Sequence, residues 1–250
     1  MPTPLVSCLM VTQQGRLPLA KQAIACFAAQ TYAEKELVVV CEGDDTYVDE
    51  MAADLEKMAA AGHASIFLRA SRGLTLGALR NISVEIATGA VVVQWDDDDL
   101  YHPARIAIQL APISAGAVAS CLVDQFYYFA DTGSVSWVDW SRASTLRPLI
   151  PGTIMVRADV GKRARYPESG ARCSRGEDDT YLDSVIALGE VAGIHDQGWC
   201  YLRRYHGSNT WDRGHFTWTS RMLSRPSGII ADPRATQALL AYAVPFREII

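Results

Sequence analysis

The stretch Val91-Val92-Val93-Gln94-Trp95-Asp96-Asp97-Asp98-Asp99 decides how this chain is read. Residues 91–95 form a short, nearly continuous apolar run, the pattern of a strand covered on both faces. The run stops at four consecutive carboxylates. In an open α/β sheet, ligands bind beyond the carboxyl ends of the strands. Alternation along an extended chain sends Asp96 and Asp98 to the same side. Clustered carboxylates repel one another and favour a hard divalent cation, Mg²⁺ or Mn²⁺. The competing reading is a solvated acidic turn before Pro103.

On the N-terminal side the chain alternates between two periods. Apolar runs at 5–11, 36–41, 65–68 and 90–95 predict strands. Between them, Leu17, Ala20, Ile24 and Phe27 share a helical face in 17–30. Residues 47–61 and 75–88 also have helical spacing and stop at Gly62 and Gly89. Such alternation predicts an α/β fold, with a mostly parallel central sheet flanked by helices. Beyond residue 112 the pattern loosens. Strands are expected at 117–130 and 134–140, joined by Asp131-Thr132-Gly133, then at 153–156 and 199–204. Helices are expected at 103–110, 177–188 and 235–243.

Composition narrows the function. The 250 residues carry 23 Lys and Arg against 28 Asp and Glu, a net charge of −5, which argues against a nucleic-acid binder that works by neutralising phosphates. Apolar residues at 49% and charged residues at 20% are those of a globular chain. No apolar run approaches the roughly 18–20 residues of a membrane span. The start, Met1-Pro2-Thr3-Pro4, lacks the plan of a signal peptide. Cys8, Cys26, Cys41, Cys121, Cys173 and Cys200 form no C-x-x-C pair, so neither a disulfide framework nor a zinc site is expected. These features predict a soluble, reduced, cytoplasmic protein.

Other polar clusters follow strands or open helices. Glu42-Gly43-Asp44-Asp45 ends the second strand, where its carboxylates either hydrogen-bond a base or sugar or cap the next helix. Arg80 and Asn81 lie on the helix before the acidic strand, and Arg80 is either a surface cation or a ligand for phosphate or base. Gly176-Glu177-Asp178-Asp179 opens a helix, either as plain capping or as a general base for an acceptor hydroxyl. His206 follows the Arg- and Tyr-rich segment 201–205 and is structural, a metal ligand or a phosphate ligand. Neither G-x-G-x-x-G nor G-x-x-x-x-G-K-[ST] occurs, which removes the main support for dinucleotide and P-loop readings.

Taken in order, these segments resemble the family 2 glycosyltransferases, which have the GT-A nucleotide-diphospho-sugar transferase fold. Residues 4–12 resemble that family's opening strand, and 38–44 its second. Leu79-Arg80-Asn81 with Ala87-Thr88-Gly89 resembles its Ala-Arg-Asn…Ala-x-Gly helix. Asp96 to Asp99 with Pro103 resembles its Asp-x-Asp-Asp-x-x-x-Pro metal motif. Gly176-Glu177-Asp178 resembles its Glu-Asp motif, and the stretch from Arg203 to Asn209 its Arg-x-x-His-x-x-Asn segment.

The resemblance implies a metal-dependent, inverting transfer from a nucleoside-diphosphate sugar, with a UDP-sugar favoured. The acceptor would be a hydroxyl of a saccharide, glycan or lipid-linked molecule. Asp96 would bind the donor ribose, Asp98 the Mn²⁺ or Mg²⁺ bridging the diphosphate, and Asp97 would assist one or the other. Asp96 and His206 would complete the metal's surroundings. Glu42 would hold the nucleobase, with Thr12, Asp44 and Arg80 nearby. Asp178, or else Glu177, would deprotonate the acceptor. Residues 1–112 would be the donor lobe, 113–210 the acceptor and catalytic lobe of the same domain, and 211–250 a helical tail.

Departures from the pattern bear on the donor. Cys41 stands where the family often has Asp, and Asp44 where it often has Ser, so base selectivity is open. Four Asp in a row leave the metal motif's register open by one residue, and Asp179 is a third candidate base. The stretch 211–225 holds Trp211, Phe216, Trp218 and Met222 among Arg and His residues. It suits a donor lid, a peripheral contact at the inner face of a membrane, or packing against the chain's own core. A catalytically silent nucleotide- or carbohydrate-binding scaffold is the alternative of a different class. A sugar nucleotidyltransferase is a poor match, because Gln13-Gln14-Gly15-Arg16 lacks its Gly-rich basic loop.

Overall fold

The computed structural model describes residues 3–143, 147–225, 228–242 and 244–250. The first elements are β1 (Val6–Gln13), α1 (Leu17–Ala28), β2 (Lys35–Glu42), α2 (Asp45–Ala60), β3 (Ala64–Arg69), α3 (Leu76–Ile86) and β4 (Val91–Gln94). There follow β5 (Leu100–Tyr101), α4 (Arg105–Ser114), β6 (Ala119–Leu122), β7 (Asp124–Phe129), β8 (Ser134–Asp139), β9 (Met155–Arg157) and α5 (Ala158–Gly161). The chain ends with α6 (Glu177–Ile186), β10 (Val191–Ile194), β11 (Tyr201–Tyr205), α7 (Arg213–Leu223), α8 (Gly228–Ala231), α9 (Pro233–Ala241) and β12 (Glu248–Ile249).

The apolar runs become the middle of a seven-stranded sheet, in the order β10-β6-β9-β4-β1-β2-β3. Every pairing is parallel except the two made by β9. Leu37 to Cys41 are all fully buried, as a strand covered on both faces requires. On one face Met10, Val39 and Trp95 pack with Phe27 of α1 and Met51 and Leu55 of α2. On the other, Val38 and Val92 pack with Val84 of α3 and Tyr181 and Val185 of α6. Each such side chain contributes about 1.5–3 kcal/mol by leaving water. The register sets Thr12 against Cys41 and Leu9 against Gln94. The residues that follow β1, β2 and β4 therefore emerge along one edge.

The second half departs from the sequence reading in several places. The strand expected at 117–130 is two, because the chain changes sheet at Val123. The buried Asp124 carboxylate accepts from the backbone of Asp196 (2.7 Å) and of Gly198, which fastens β7 to a different neighbour. A continuous apolar run carries no signal of such a switch. β7 joins a second sheet, in the order β12-β8-β7-β11-β5. The strand expected at 153–156 begins only at Met155, after a 3-10 turn at Pro151–Thr153. The extended stretch expected at 199–204 likewise begins with a 3-10 turn, Gly198–Cys200. The helix expected at 103–110 runs from Arg105 to Ser114, with Pro112 inside its last turn. The helix expected at 235–243 ends at Ala241, and Ala243 lies outside the described residues.

Directly behind the acidic run, Arg105 is fully buried among aromatic faces. Its guanidinium lies 5.0 Å from the Trp95 ring, 4.4 Å from Tyr101 and 4.7 Å from Tyr201. It donates to the Gln94 carbonyl at 2.9 Å and to Gln109 Oε1 at 2.8 Å. The six cysteines are free, and no helix among the described residues is long and apolar enough to cross a membrane.

Candidate active site

The four aspartates leave β4 and divide their labour. Asp96 accepts from Arg80 at 3.0 Å and from Gln94 Nε2 at 3.0 and 3.2 Å. Asp97 is buried and lies 3.2 Å from Arg16 Nε, with its Oδ2 unpartnered among the described residues. Asp98 accepts from Arg16 and faces His206 Nε2 at 3.1 Å. Asp99 is buried and structural: it accepts from Tyr201 Oη at 2.7 Å and from the Arg204 backbone at 2.9 Å. Alternation holds in part, since Asp96 and Asp98 stay partly exposed while Asp97 and Asp99 turn inward.

Crowding shows in their acidity. Burial and then the Asp98 charge push Asp97 up to about 8, and the same two causes push Asp99 up to about 7. Burial also works against charge on Asp98. There the hydrogen bond to His206 and the charge of Arg16 prevail and hold its carboxyl below the usual range.

Gly176 opens α6 in the left-handed region, at φ 81°, a conformation that favours glycine. Glu177, just after it, is buried, and its Oε1 lies 3.2 Å from Arg80 Nε. Burial, only partly offset by Arg80, raises its pKa above the ordinary value. Arg80 thus joins Asp96 to Glu177, and both of its partners are carboxylates. Asp178 is not in that pair. Its Oδ1 accepts from the Asp179 backbone at 3.0 Å. A Cβ placed on Gly152 would stand 3.5 Å from Gln94 Nε2, 3.6 Å from Asp178 Oδ2 and 3.8 Å from Asp96 Oδ2, so both carboxylate oxygens lie beside Gly152. Asp179 is exposed on the turn beside them.

The β2 end lies further along the same edge. Glu42 accepts from Gln13 Nε2 at 2.6 Å and from the Gly73 backbone at 2.5 Å. With Gln14, Asp44 and Arg72 it lines an open hollow. Asp44 caps α2, accepting from Tyr47 N at 2.9 Å, and also accepts from Gln14 Nε2 at 3.1 Å. Thr12 is buried against Tyr47 Oη at 2.5 Å.

Two adjoining cavities meet at Asp96 and Asp178. One is bounded by Arg16, Arg80 and the acidic run, the other by Gly152 and α7. The structure gathers Arg80, Asp96, Asp97, Asp98, Glu177, Asp178 and His206 around them, and keeps Glu42 and Asp44 in the separate hollow. Arg16, Gln125 and Gly152 were not singled out from the sequence. Arg16 reaches the acidic run from residue separations above eighty, and no local pattern announces such an approach.

Among the described residues no three His, Cys, Asp or Glu side chains converge on one point. The nearest arrangement is Asp98 with His206. The Asp98 carboxylate suits Mn²⁺ or Mg²⁺, which commonly take one or two protein carboxylates and fill the rest with substrate phosphate and water. The donor set therefore fits a divalent ion shared with a diphosphate.

Comparison with known proteins agrees with this fold. The profile of "Glycosyl transferase family 2" matches residues 7–173, which is two thirds of the chain and includes the acidic run. Glu177, Asp178 and His206 lie beyond the match. No curated protein matches the chain. The fold is similar to that of S. aureus TarS 1–349 in complex with UDP-GlcNAc, with 16% identity and TM-score 0.61 over 95% of this chain and 71% of that one. It is also similar to the mannosyltransferase PcManGT from Pyrobaculum calidifontis in complex with GDP-Man and Mn²⁺, with 15% identity and TM-score 0.59 over 96% of this chain and 75% of that one. Against another structure of TarS 1–349, at 17% identity and TM-score 0.57, the match takes in 80% of this chain and 60% of the longer one. With its GT-A architecture and the family's profile across residues 7–173, the chain belongs to glycosyl transferase family 2.

Proposed function

We propose that the chain moves a sugar from a nucleoside-diphosphate sugar to a hydroxyl of a saccharide, glycan or lipid-linked acceptor, with a divalent metal and inversion at the anomeric carbon. The observation that carries this reading is that Asp178 Oδ2 and Asp96 Oδ2 both lie beside Gly152, at the junction of two cavities. One cavity suits the donor and the other the acceptor. A UDP-sugar is the favoured donor, because the TarS structure holds UDP-GlcNAc, although PcManGT holds GDP-Man.

In this reading Asp98 and His206 hold the metal, with Asp96 and Asp97 beside them. Mn²⁺ or Mg²⁺, when bound, neutralises charge developing on the departing diphosphate. Arg16, beside Asp97 and Asp98, adds positive charge on the same side. Glu42 and Asp44 hold the nucleobase from their hollow, with Thr12 behind them. Arg80 keeps Asp96 and Glu177 in place and bonded. That leaves Asp178 as the base: Glu177 is buried against Arg80, whereas Asp178 Oδ2 faces the junction. The acceptor oxygen attacks the anomeric carbon as the bond to the diphosphate oxygen breaks. The hydroxyl proton passes to Asp178 Oδ2, and the nucleoside diphosphate leaves with the electron pair. Residues 1–112 serve the donor and 113–210 the acceptor, while 211–250 close the acceptor side. A cytoplasmic setting is part of the proposal, on the six free cysteines.

The test is nucleoside diphosphate release from UDP-sugars with Mn²⁺, in the original chain and in Asp178→Asn. Removing a general base costs about 10²–10⁴ in rate. The expected result is that loss with nucleotide affinity unchanged. Full turnover by the variant would move the base to Glu177 or Asp179.

A further inference from the structure

Between α5 and α6 the chain runs from 162 to 176 without helix or strand, a length at which an ordered loop usually serves a function. The segment is seated on α3. Asn81 Nδ2 donates to the Tyr166 carbonyl at 3.0 Å and to Glu168 Oε1 at 2.7 Å. Thr75 Oγ1 donates to the Glu168 carbonyl at 3.1 Å, and the Gly77 backbone to the Cys173 carbonyl at 2.8 Å. Arg165 reaches Glu85 in the helix's last turn. The segment therefore follows α3 from its last turn back to its first, and leads directly into Glu177 and Asp178.

Its charge is the reverse of the molecule's. The chain carries a net −5, yet residues 162–175 hold Lys162, Arg163, Arg165, Arg172 and Arg175 against Glu168 alone. All five cations are exposed. Arg165 pairs with Glu85 and Glu168, whereas Lys162, Arg163 and Arg172 form no ion pair among the described residues. Cations gathered on one ridge repel one another and are stabilised by an anionic partner.

The ridge runs on into α7. The Arg175 guanidinium lies 4.1 Å from the Trp211 ring, and His215 of α7 stacks on Trp211 at 4.3 Å. One turn further on, Trp218, Arg221 and Met222 are neighbours on a single helix face. Trp218 is 55% and Met222 59% exposed, and Arg221 is exposed beside them. The helix already packs on the chain's own core through Phe216 and Leu223, so this second apolar face is not needed for folding.

We propose that the 162–175 ridge and the outer face of α7 together dock on the anionic surface of a lipid bilayer, with the cations on lipid phosphates and Trp218 and Met222 in the headgroup layer. An indole and a thioether among cations fit the boundary where apolar and charged chemistry meet, whereas a polyanion free in water would leave them uncovered. The cavity at Asp178 lies between the end of the ridge and α7. The docking surface stands without the transferase reading; with it, the placing of that cavity favours a lipid-linked acceptor among those proposed.

The test is co-sedimentation with vesicles of phosphatidylcholine alone and of phosphatidylcholine with phosphatidylglycerol in equal parts, with tryptophan emission followed in parallel. Sodium polyphosphate serves as the soluble anion, and UDP with Mn²⁺ is titrated into the same samples by calorimetry. The expected result is binding to the mixed vesicles with a blue shift in emission, and little binding to phosphatidylcholine alone. Raising salt from about 0.1 M to about 0.5 M should release the protein, because screening shortens the reach of its charges. Each cation near an anionic leaflet is worth about fivefold in partition, so Lys162→Gln, Arg163→Gln and Arg172→Gln combined should weaken binding by about a hundredfold. Trp218→Ser with Met222→Ser should weaken it by about tenfold and remove the blue shift. The substituted residues are all exposed, and either variant is decisive if the other folds poorly. No binding to the mixed vesicles would overturn the docking surface, as would equal binding to phosphatidylcholine alone or undiminished binding by the charge variant. Tight binding of polyphosphate with none to vesicles would give the ridge to a soluble polyanion instead. If UDP binds and vesicles do not, the docking surface fails and the transferase reading stands; if vesicles bind and UDP does not, the reverse holds. If neither binds, both fail.

Discussion

Asp44 shows how one residue answers two readings. The sequence leaves it as a nucleobase contact or a helix cap, and the structure has its Oδ1 on the backbone of Tyr47, the cap, while Oδ2 accepts from Gln14 at the edge of the hollow beside Glu42. The acidic run was legible because its signal is local: a buried strand, an abrupt stop and four carboxylates. What each carboxylate does was not, since Arg16, Arg80, Tyr201 and His206 come to it from four distant segments. The proposed choice of Asp178 over Glu177 rests on the same kind of approach. Arg80 Nε lies 3.2 Å from Glu177 Oε1, while Asp178 has no such partner in Arg80.

At the scale of elements, the strongly periodic segments were read correctly to within a few residues at most, because burial on one face leaves its mark in the sequence. The switch at Val123 and the strand β10 were not, since short apolar runs do not say which sheet they join. Packing between elements makes its own predictions. A Cβ on Gly77 of α3 would stand 2.0 Å from the Pro167 carbonyl oxygen, backbone that cannot yield cheaply. That loop leads to Glu177 and Asp178. Gly77→Ala should cost about 1–3 kcal/mol of stability and lower turnover as well, as a denaturant melt and a rate assay would show. An unchanged melt would mean that the loop is not seated on the helix. Arg225 pairs with Asp124 (3.1 Å), Asp139 (2.9 Å) and Asp196 (2.6 Å), tying the end of α7 to the second sheet. Arg225→Met strands the fully buried Asp124 carboxylate and should cost about 3 kcal/mol, with urea unfolding as the readout. A loss near zero would show that the backbone donors of Asp196 and Gly198 suffice.

For the whole molecule, the acidic run sets how stability varies with pH. Asp97 at about 8 and Asp99 at about 7 sit above the ordinary 3.8, so the folded chain holds more protons than the unfolded one between those limits. Stability therefore falls as pH rises through that window. Asp98, held low, acts oppositely: its contribution is present above about 4 and lost below it. His215, pushed down to about 4, acts below about pH 6.5. The metal-free protein should thus melt at a lower temperature at about pH 8 than at about pH 6.5. Asp97→Asn should flatten that slope, and a midpoint that rises with pH would contradict the burial of a carboxylate that Arg16 only partly compensates.

The donor site is the centre of the account, and calorimetry of UDP and GDP with and without Mn²⁺, in the original chain and in Asp98→Asn, tests it most directly. One nucleotide should bind measurably only with Mn²⁺, and Asp98→Asn should weaken it by at least about tenfold. Equal affinity in the variant, or no binding of either nucleotide with the metal present, would contradict it.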